Sequence, residues 1–397
     1  MGKIIFLQLP TSTGHFNPTK KLMNTLADKG STVICYGSQN QFNVIDSTKI
    51  ICREYILYDK ANLTFPIKEI NPYLMDILQL INERIIINKF HYENIIESIK
   101  RENPDLIIYD EWLSILGYYI ENELKIKCYC SNSKMAFSEQ LMFDNEQAMQ
   151  RCLGIPFGTK LNFKELLIEL DYNIKHLADI YNVPFERAKY YFSGYGKQTI
   201  VFNYPSFQPF YEEFNHSYHF IGASFEPYPD INDKDIDVYV SFGTVNNDNL
   251  NLINFIIGVL DSMKLTSVIS IGNKLSIESL INYNKSKIHI FKSVNQIEIL
   301  SKSKLFITHG GMNSTIEAIT LGVPIIVFPQ EGDQFIVAQE VNKLGIGKAF
   351  ITLPTISELI EYIQYYMKGD KRNDIINKLK HISSDSRIEQ LNLMEEI

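Results

Sequence analysis

The chain has 397 residues, more than one ordinary domain holds and room for two of about 200 each. Hydrophobic residues make up 45% and charged residues 21%, the balance of a soluble globular enzyme. A formal net charge of −8 argues against nucleic acid or an anionic membrane as partner, and no apolar run approaches the length that crosses a bilayer.

In chain order, "KIIFLQLP" is short and apolar, as a buried parallel strand is. It enters a polar loop at once, so it reads as a first strand and not as a signal peptide. Phe6 breaks the pattern for myristoylation of Gly2. After the loop "TSTGHF", Asn17-Pro18 reads as a helix start, with Asn as N-cap and Pro in the first turn. Leu22, Leu26 and Ala27 line one face of that helix and Gly30 ends it. "STVICYG" is the next strand; "PDLIIYDEW" gives a turn, a strand and then Asp110 opening a helix. A more helical and aromatic stretch runs from Asn71 to Tyr195.

The five cysteines (Cys35, Cys52, Cys128, Cys130, Cys152) are odd in number and include no C-x-x-C pair. They read as reduced thiols of a cytoplasmic protein. His216 and His219 have no carboxylate or Cys at ligand spacing, so no metal site is expected there.

From Pro205 to Asp237 the chain is rich in Pro, aromatic and acidic residues and lacks a helical period, which reads as a domain connector. Its Asp residues do not make a calcium loop, because the central Gly and closing Glu are missing. The second half restarts the alternation: "VYVSFG", a helix over Leu250–Leu260, "SVISIG", "KIHIFK", a short helix, "LFITHG", a helix, "PIIVFP", and a helix ending at Gly345. Strands alternating with helices predict parallel sheets with right-handed crossovers. The expected fold is therefore α/β, with two doubly wound domains facing a cleft.

In such sheets ligands bind beyond the carboxyl ends of the strands. In "THGGMNSTIEA", Gly310 and Gly311 open the backbone just before a helix that starts near Asn313, a place suited to phosphate. Ser314 and Glu317 also match a capping box that serves only its own helix, and His309 tilts the reading toward a ligand. Ser241 and Thr244 of "SFGT" suit phosphate oxygens or a plain tight turn. Asp333 either caps the next helix or offers a carboxylate to the cleft, beside Gln334. His15 and Asp110 both follow strands of the first domain, as a general base and its orienting partner would; a loop histidine and an N-cap are the plainer alternative. No Walker loop, dinucleotide fingerprint, G-x-S-x-G or H-E-x-x-H occurs.

The ordered set "TGHFNPT", "PDLIIYD", "VSFGT", "VNQIEIL" and "THGGMNSTIEAITLGVPIIVFPQEGDQ" resembles the family 1 glycosyltransferases, and among them the bacterial macrolide and flavonoid glucosyltransferase branch. The resemblance spans nearly the whole chain. It implies the GT-B fold, two Rossmann-like domains with acceptor on the first and UDP-sugar on the second. The implied layout is an acceptor domain over 1–210, a connector over 211–236, a nucleotide-sugar domain over 237–375, and a C-terminal helix over 376–397 returning to the first domain.

By position, the resemblance makes His15 the base that deprotonates the acceptor hydroxyl and Asp110 the carboxylate that steadies the imidazolium. His309, Asn313 and Ser314 would hold the pyrophosphate, with Gly311 opening the backbone and Ser241 and Thr244 nearby. Glu317 would accept from the ribose hydroxyls, Gln296 would meet the uracil, and Asp333 and Gln334 the sugar hydroxyls. Plant members place a uracil-stacking Trp where this chain has Ser293. The implied activity is inverting transfer of a hexose, glucose first, to a hydroxyl of a small hydrophobic or aromatic acceptor such as a macrolide or flavonoid. No cofactor and no catalytic metal are implied, and the cytoplasmic protein would be a monomer or homodimer. A nucleotide-sugar epimerase, or a degenerate relative that binds without transfer, are the alternatives.

Overall fold

The computed structural model describes residues 2–10, 12–59, 63–156, 158–185, 187–224, 234–243, 248–386, 389–390, 392–393 and 397. They form two units, Met1–Asn203 with Phe210–Phe225 and Arg387–Ile397, and Tyr204–Pro209 with Glu226–Ser386.

Unit 1 opens with β1 (Lys3–Leu7), α1 (Thr13–Asp28), β2 (Thr32–Gly37), α2 (Gln39–Phe42) and β3 (Ile50–Glu54). The long α3 (Met75–Glu102) leads to β4 (Leu106–Asp110), α4 (Ser114–Tyr119) and β5 (Lys127–Asn132). Then come α5 (Glu139–Asp144), α6 (Glu146–Cys152), α7 (Phe163–Tyr181), α8 (Ala188–Ser193), β6 (Thr199–Val201) and β7 (Tyr218–Phe220). The strands form one parallel sheet in the order β3-β2-β1-β4-β5-β6-β7. Ile4, Phe6 and Ile108 face one buried side of it and Ile5, Leu7 and Ile107 the other, which is why these strands read as unbroken apolar runs.

Unit 2 runs β8 (Ile236–Ser241), α9 (Leu250–Ser262), β9 (Ser267–Ser270), β10 (Ile288–Phe291), α10 (Gln296–Ser301) and β11 (Ser303–Thr308). It continues with α11 (Met312–Thr320), β12 (Ile325–Val327), α12 (Gln334–Leu344), β13 (Gly347–Ala349), α13 (Ile356–Met367) and α14 (Gly369–Ser384). Its parallel sheet has the order β10-β9-β8-β11-β12-β13. In both sheets the chain winds outward one way and then restarts on the other side. The reversals lie between β1 and β4 and between β8 and β11, and a crevice at the strand carboxyl ends belongs at such points.

Several expectations are corrected. Helix α1 starts four residues before Asn17: the Ser12 hydroxyl accepts from the His15 N–H at 3.3 Å, and Pro18 sits inside the helix, where it lacks an N–H to donate. The expected connector over 211–236 begins inside unit 1, because Tyr211 and Phe214 pack on Phe220 at ring separations of 5.1 and 5.4 Å and let β7 add to the sheet. Most of the remainder of that stretch lies outside the described residues. The return to unit 1 starts at Arg387 and not at 376, since Ile375, Leu379 and Ile382 bury α14 within unit 2. Beyond it, Leu393 enters the unit 1 core, and Glu389 pairs with His219 at 2.8 Å. That pairing, with Gln198 on the other ring nitrogen, gives His219 a structural role. Among the described residues no helix is long and apolar enough to cross a membrane.

Candidate functional site

At the reversal of the unit 1 sheet, β1 delivers His15 in the first turn of α1 and the adjacent β4 ends in Asp110. His15 Nδ1 lies 3.0 and 3.2 Å from the two Asp110 oxygens. A carboxylate on Nδ1 favours the tautomer that carries its proton there and leaves Nε2 with a lone pair. The N-cap reading of Asp110 also holds, for its Oδ1 accepts the Trp112 N–H at 2.9 Å. Its two roles are compatible, because the cap fixes the carboxylate that orients the imidazole. Burial lowers the His15 pKa, but the charge and hydrogen bond of Asp110, with Glu111 behind it, outweigh that and leave it raised.

Two neighbours escaped the sequence reading. Glu111 is 1% exposed, lies 3.6 Å from His15 Nδ1, and pairs with Lys134 at 2.9 Å. Lys134 follows β5, so three adjacent strands, β1, β4 and β5, bring four ionisable groups to one place: His15, Asp110 with Glu111, and Lys134. Arg84 of α3 clamps the turn: its guanidinium donates to the carbonyls of Glu111, Trp112 and Tyr191 and to Ser114 Oγ. The sequence offers Asp110 and Glu111 as a helix opening; only the strand order brings Lys134 beside them.

At the reversal of the unit 2 sheet, β8 ends in Ser241 and β11 in Thr308, which are register partners. Gly311 is the N-cap of α11 and supplies no side-chain cap, so the helix opens with bare backbone toward this corner. The two glycines of the motif do different jobs. Gly310 has φ 85°, and a Cβ there would meet Val327 at 2.7 Å. Gly311 has an ordinary φ of −60°, but a Cβ would come within 2.6 Å of His309 Nε2. Gly243, at φ 71°, likewise leaves room for the same ring, 2.8 Å from its Cβ position. The glycines therefore seat His309 between them. Burial lowers the His309 pKa to about 4, against a hydrogen bond with the Ser241 backbone, so the ring is neutral at pH 7 in the unliganded protein.

The capping-box reading of Ser314 and Glu317 is overturned. Both lie within α11, and both face Gln296 instead: Gln296 Nε2 is 3.0 Å from Ser314 Oγ and 2.5 Å from Glu317 Oε2. Tyr239 donates to Gln296 Oε1 at 3.2 Å. Burial pushes the Glu317 carboxyl up to about 7, with the Gln296 amide pulling down. Asn313 lies one residue into α11, on the same first turn. Asp333 is the N-cap of α12 without capping through its side chain. Gln334 is buried, and its Oε1 accepts the N–H groups of Gln330 and Glu331 at 2.8 and 3.2 Å. That bond holds the loop before α12 closed and leaves the amide NH2 as the side chain's donor. Thr244 lies outside the described residues.

Residues 238–394 match the family model described as UDP-glucoronosyl and UDP-glucosyl transferase. A Bacillus subtilis protein named uncharacterized UDP-glucosyltransferase YojK is 29% identical, over 96% of this chain and 94% of its own. The NDP-glycosyltransferase YjiC of the same organism is 28% identical, over 94% and 90%. The crystal structure of a glycotransferase of kitacinnamycin superposes with a TM-score of 0.74 at 18% identity, covering 100% of this chain and 98% of that one.

Proposed function

The chain belongs to the family 1 glycosyltransferases, with a GT-B fold, and from that premise we propose that it is an inverting hexosyltransferase in which His15 is the base. The protein is a glycosyltransferase that uses a UDP-sugar. The name of its full-length relative favours UDP-glucose as donor. The observation that carries the mechanism is the His15 Nδ1 to Asp110 contact of 3.0 Å at the reversal of the unit 1 sheet.

In the proposed step the acceptor hydroxyl gives its proton to His15 Nε2 while its oxygen bonds to the anomeric carbon. The bond from that carbon to the diphosphate oxygen breaks, UDP leaves with the electron pair, and the configuration inverts. Asp110 balances the charge the imidazole gains. The bare N-terminus of α11, beside His309, faces the charge that grows on the diphosphate, which lets the step proceed without a catalytic metal. Glu317 accepts from the ribose hydroxyls, Gln296 meets the base, and Asp333 and Gln334 meet the sugar. Asn313, Ser314 and Ser241 lie along the diphosphate.

The acceptor is proposed to be a small hydrophobic or aromatic molecule bearing a hydroxyl. Support comes from the aromatic character of unit 1, where Tyr118, Phe185, Tyr190 and Tyr195 pack in one cluster. We take the cytoplasm as its location, in keeping with five free cysteines. An epimerase or a binding-only protein would leave the His15–Asp110 pair without a task.

The test is the anomeric configuration of the product from UDP-glucose, read by the proton coupling in NMR, with and without a chelator. A β-glucoside formed at the same rate with chelator is expected. An α-glucoside would overturn inversion, and loss of activity on chelation would overturn metal independence.

A further inference from the structure

A carboxylate is costly to bury, and one at 1% exposure needs partners that repay its desolvation. Glu111 is such a carboxylate, and the proposed reaction gives it no role. Its backbone is held from two sides, since Arg84 and Ser114 both donate to its carbonyl. On a third side Gly194, at φ 74°, packs so closely that a Cβ there would lie 2.7 Å from Glu111 Cβ. The side chain is therefore placed with little freedom, and it is placed on His15.

The groups that face it are few. Asp110 is its neighbour in sequence and shares His15 Nδ1; Lys134 pairs with its Oε1 at 2.9 Å; Arg84 lies behind the turn; Cys130 of β5 lies beside it as a buried, un-ionised thiol. The cluster thus holds two carboxylates against one lysine and one imidazole, with a guanidinium committed to backbone carbonyls. Burial raises the Glu111 carboxyl, and the charges of Lys134 and of a protonated His15 pull it back down; in turn the charges of Asp110 and Glu111 favour a proton on His15. A carboxylate 3.6 Å from the ring nitrogen, in a site closed to water, favours the proton arriving on the imidazole.

We propose that Glu111, paired with Lys134, is a second positioning carboxylate for His15, sharing with Asp110 the task of holding the imidazole and balancing the charge it gains from the acceptor. The inference rests on the reading of His15 as the base. Glu111 touches no substrate and acts through His15. Lys134 acts through Glu111, since its ammonium at 2.9 Å favours the charged form of that carboxyl against burial.

The test is NMR titration of the His15 imidazole in the full chain and in Glu111→Gln, with transfer kinetics and UDP calorimetry on the same preparations. Loss of the anion is expected to move the His15 midpoint to lower pH, and the acid limb of kcat/KM with it. kcat should fall about tenfold while KM for the UDP-sugar stays within about twofold. UDP affinity and the thermal melt report folding independently. Lys134→Met changes a partly exposed side chain and provides a second arm. Alone it should lower kcat, but on top of Glu111→Gln it should add little, because its target is already gone. An unmoved His15 midpoint, or full additivity of the two losses, would overturn the proposal. A shifted midpoint in a protein that transfers sugar to no acceptor would leave the pairing standing and overturn the proposed reaction instead.

Discussion

Glu317 shows how one residue can couple the site to pH. Its carboxyl is held up to about 7 by burial, against the pull of the Gln296 amide. Ribose hydroxyls donate to a carboxylate better than to a carboxylic acid, so the proposed ribose contact of Glu317 makes nucleotide binding favour the charged form. UDP affinity should therefore weaken as pH falls through about 7, and binding there should release protons, which calorimetry in buffers of different ionisation enthalpy detects. Glu317→Gln should bind more weakly and show neither effect; equal proton release in the variant would move the linkage to another group. Stability without ligand follows the opposite sign. The folded chain holds a proton that the unfolded chain, with the carboxyl near its ordinary 4.5, has already lost. This contribution is complete below 4.5 and fades as pH rises through about 7, so the melting temperature of the wild type should drop relative to Glu317→Gln across that range.

At the scale of elements, the strand-to-helix corners are what the sequence made legible. β1, β2, β4, β8, β9, β11 and β12 are apolar runs buried on both faces, and each stands where its run stands in the sequence. Asn17-Pro18 imitates a helix entry, while the hydroxyl that caps α1 belongs to Ser12. In α11 a local pattern likewise fits a capping box, but Gln296, eighteen residues before Ser314, claims both side chains. Glu111 and Lys134 stayed hidden because nothing local pairs them, and only the adjacency of β4 and β5 does. The glycines of the motif were read as room for a ligand, and the packing makes Gly311 room for His309. Gly311→Ala leaves the backbone unstrained, so it should keep the fold and displace the ring. The expected result is a UDP dissociation constant raised about tenfold with an unchanged melt. Wild-type affinity in that variant would separate His309 from diphosphate binding.

On the scale of the whole molecule, the chain leaves unit 1, builds unit 2, and returns for its last eleven residues, Arg387–Ile397. Leu393, 1% exposed in the unit 1 core, and the Glu389–His219 pair fasten that return. Ending the chain after Ser386 should cost unit 1 about 3 kcal/mol and lower the melting temperature, yet leave UDP affinity intact, because every described nucleotide-contacting candidate belongs to unit 2. Loss of UDP binding in that shortened chain would mean that the two units do not divide the work as their separate cores imply. The central proposal assigns the base to unit 1 and the binding of the activated sugar to unit 2. The measurement that tests it most directly is UDP release from UDP-glucose across a panel of phenols, flavonoids and macrolides, with His15→Ala beside the wild type. The account predicts acceptor-dependent release by the wild type, reduced at least about a hundredfold in the variant while UDP binding is retained. Full transfer by His15→Ala, or no release with any acceptor despite tight UDP binding, would contradict it.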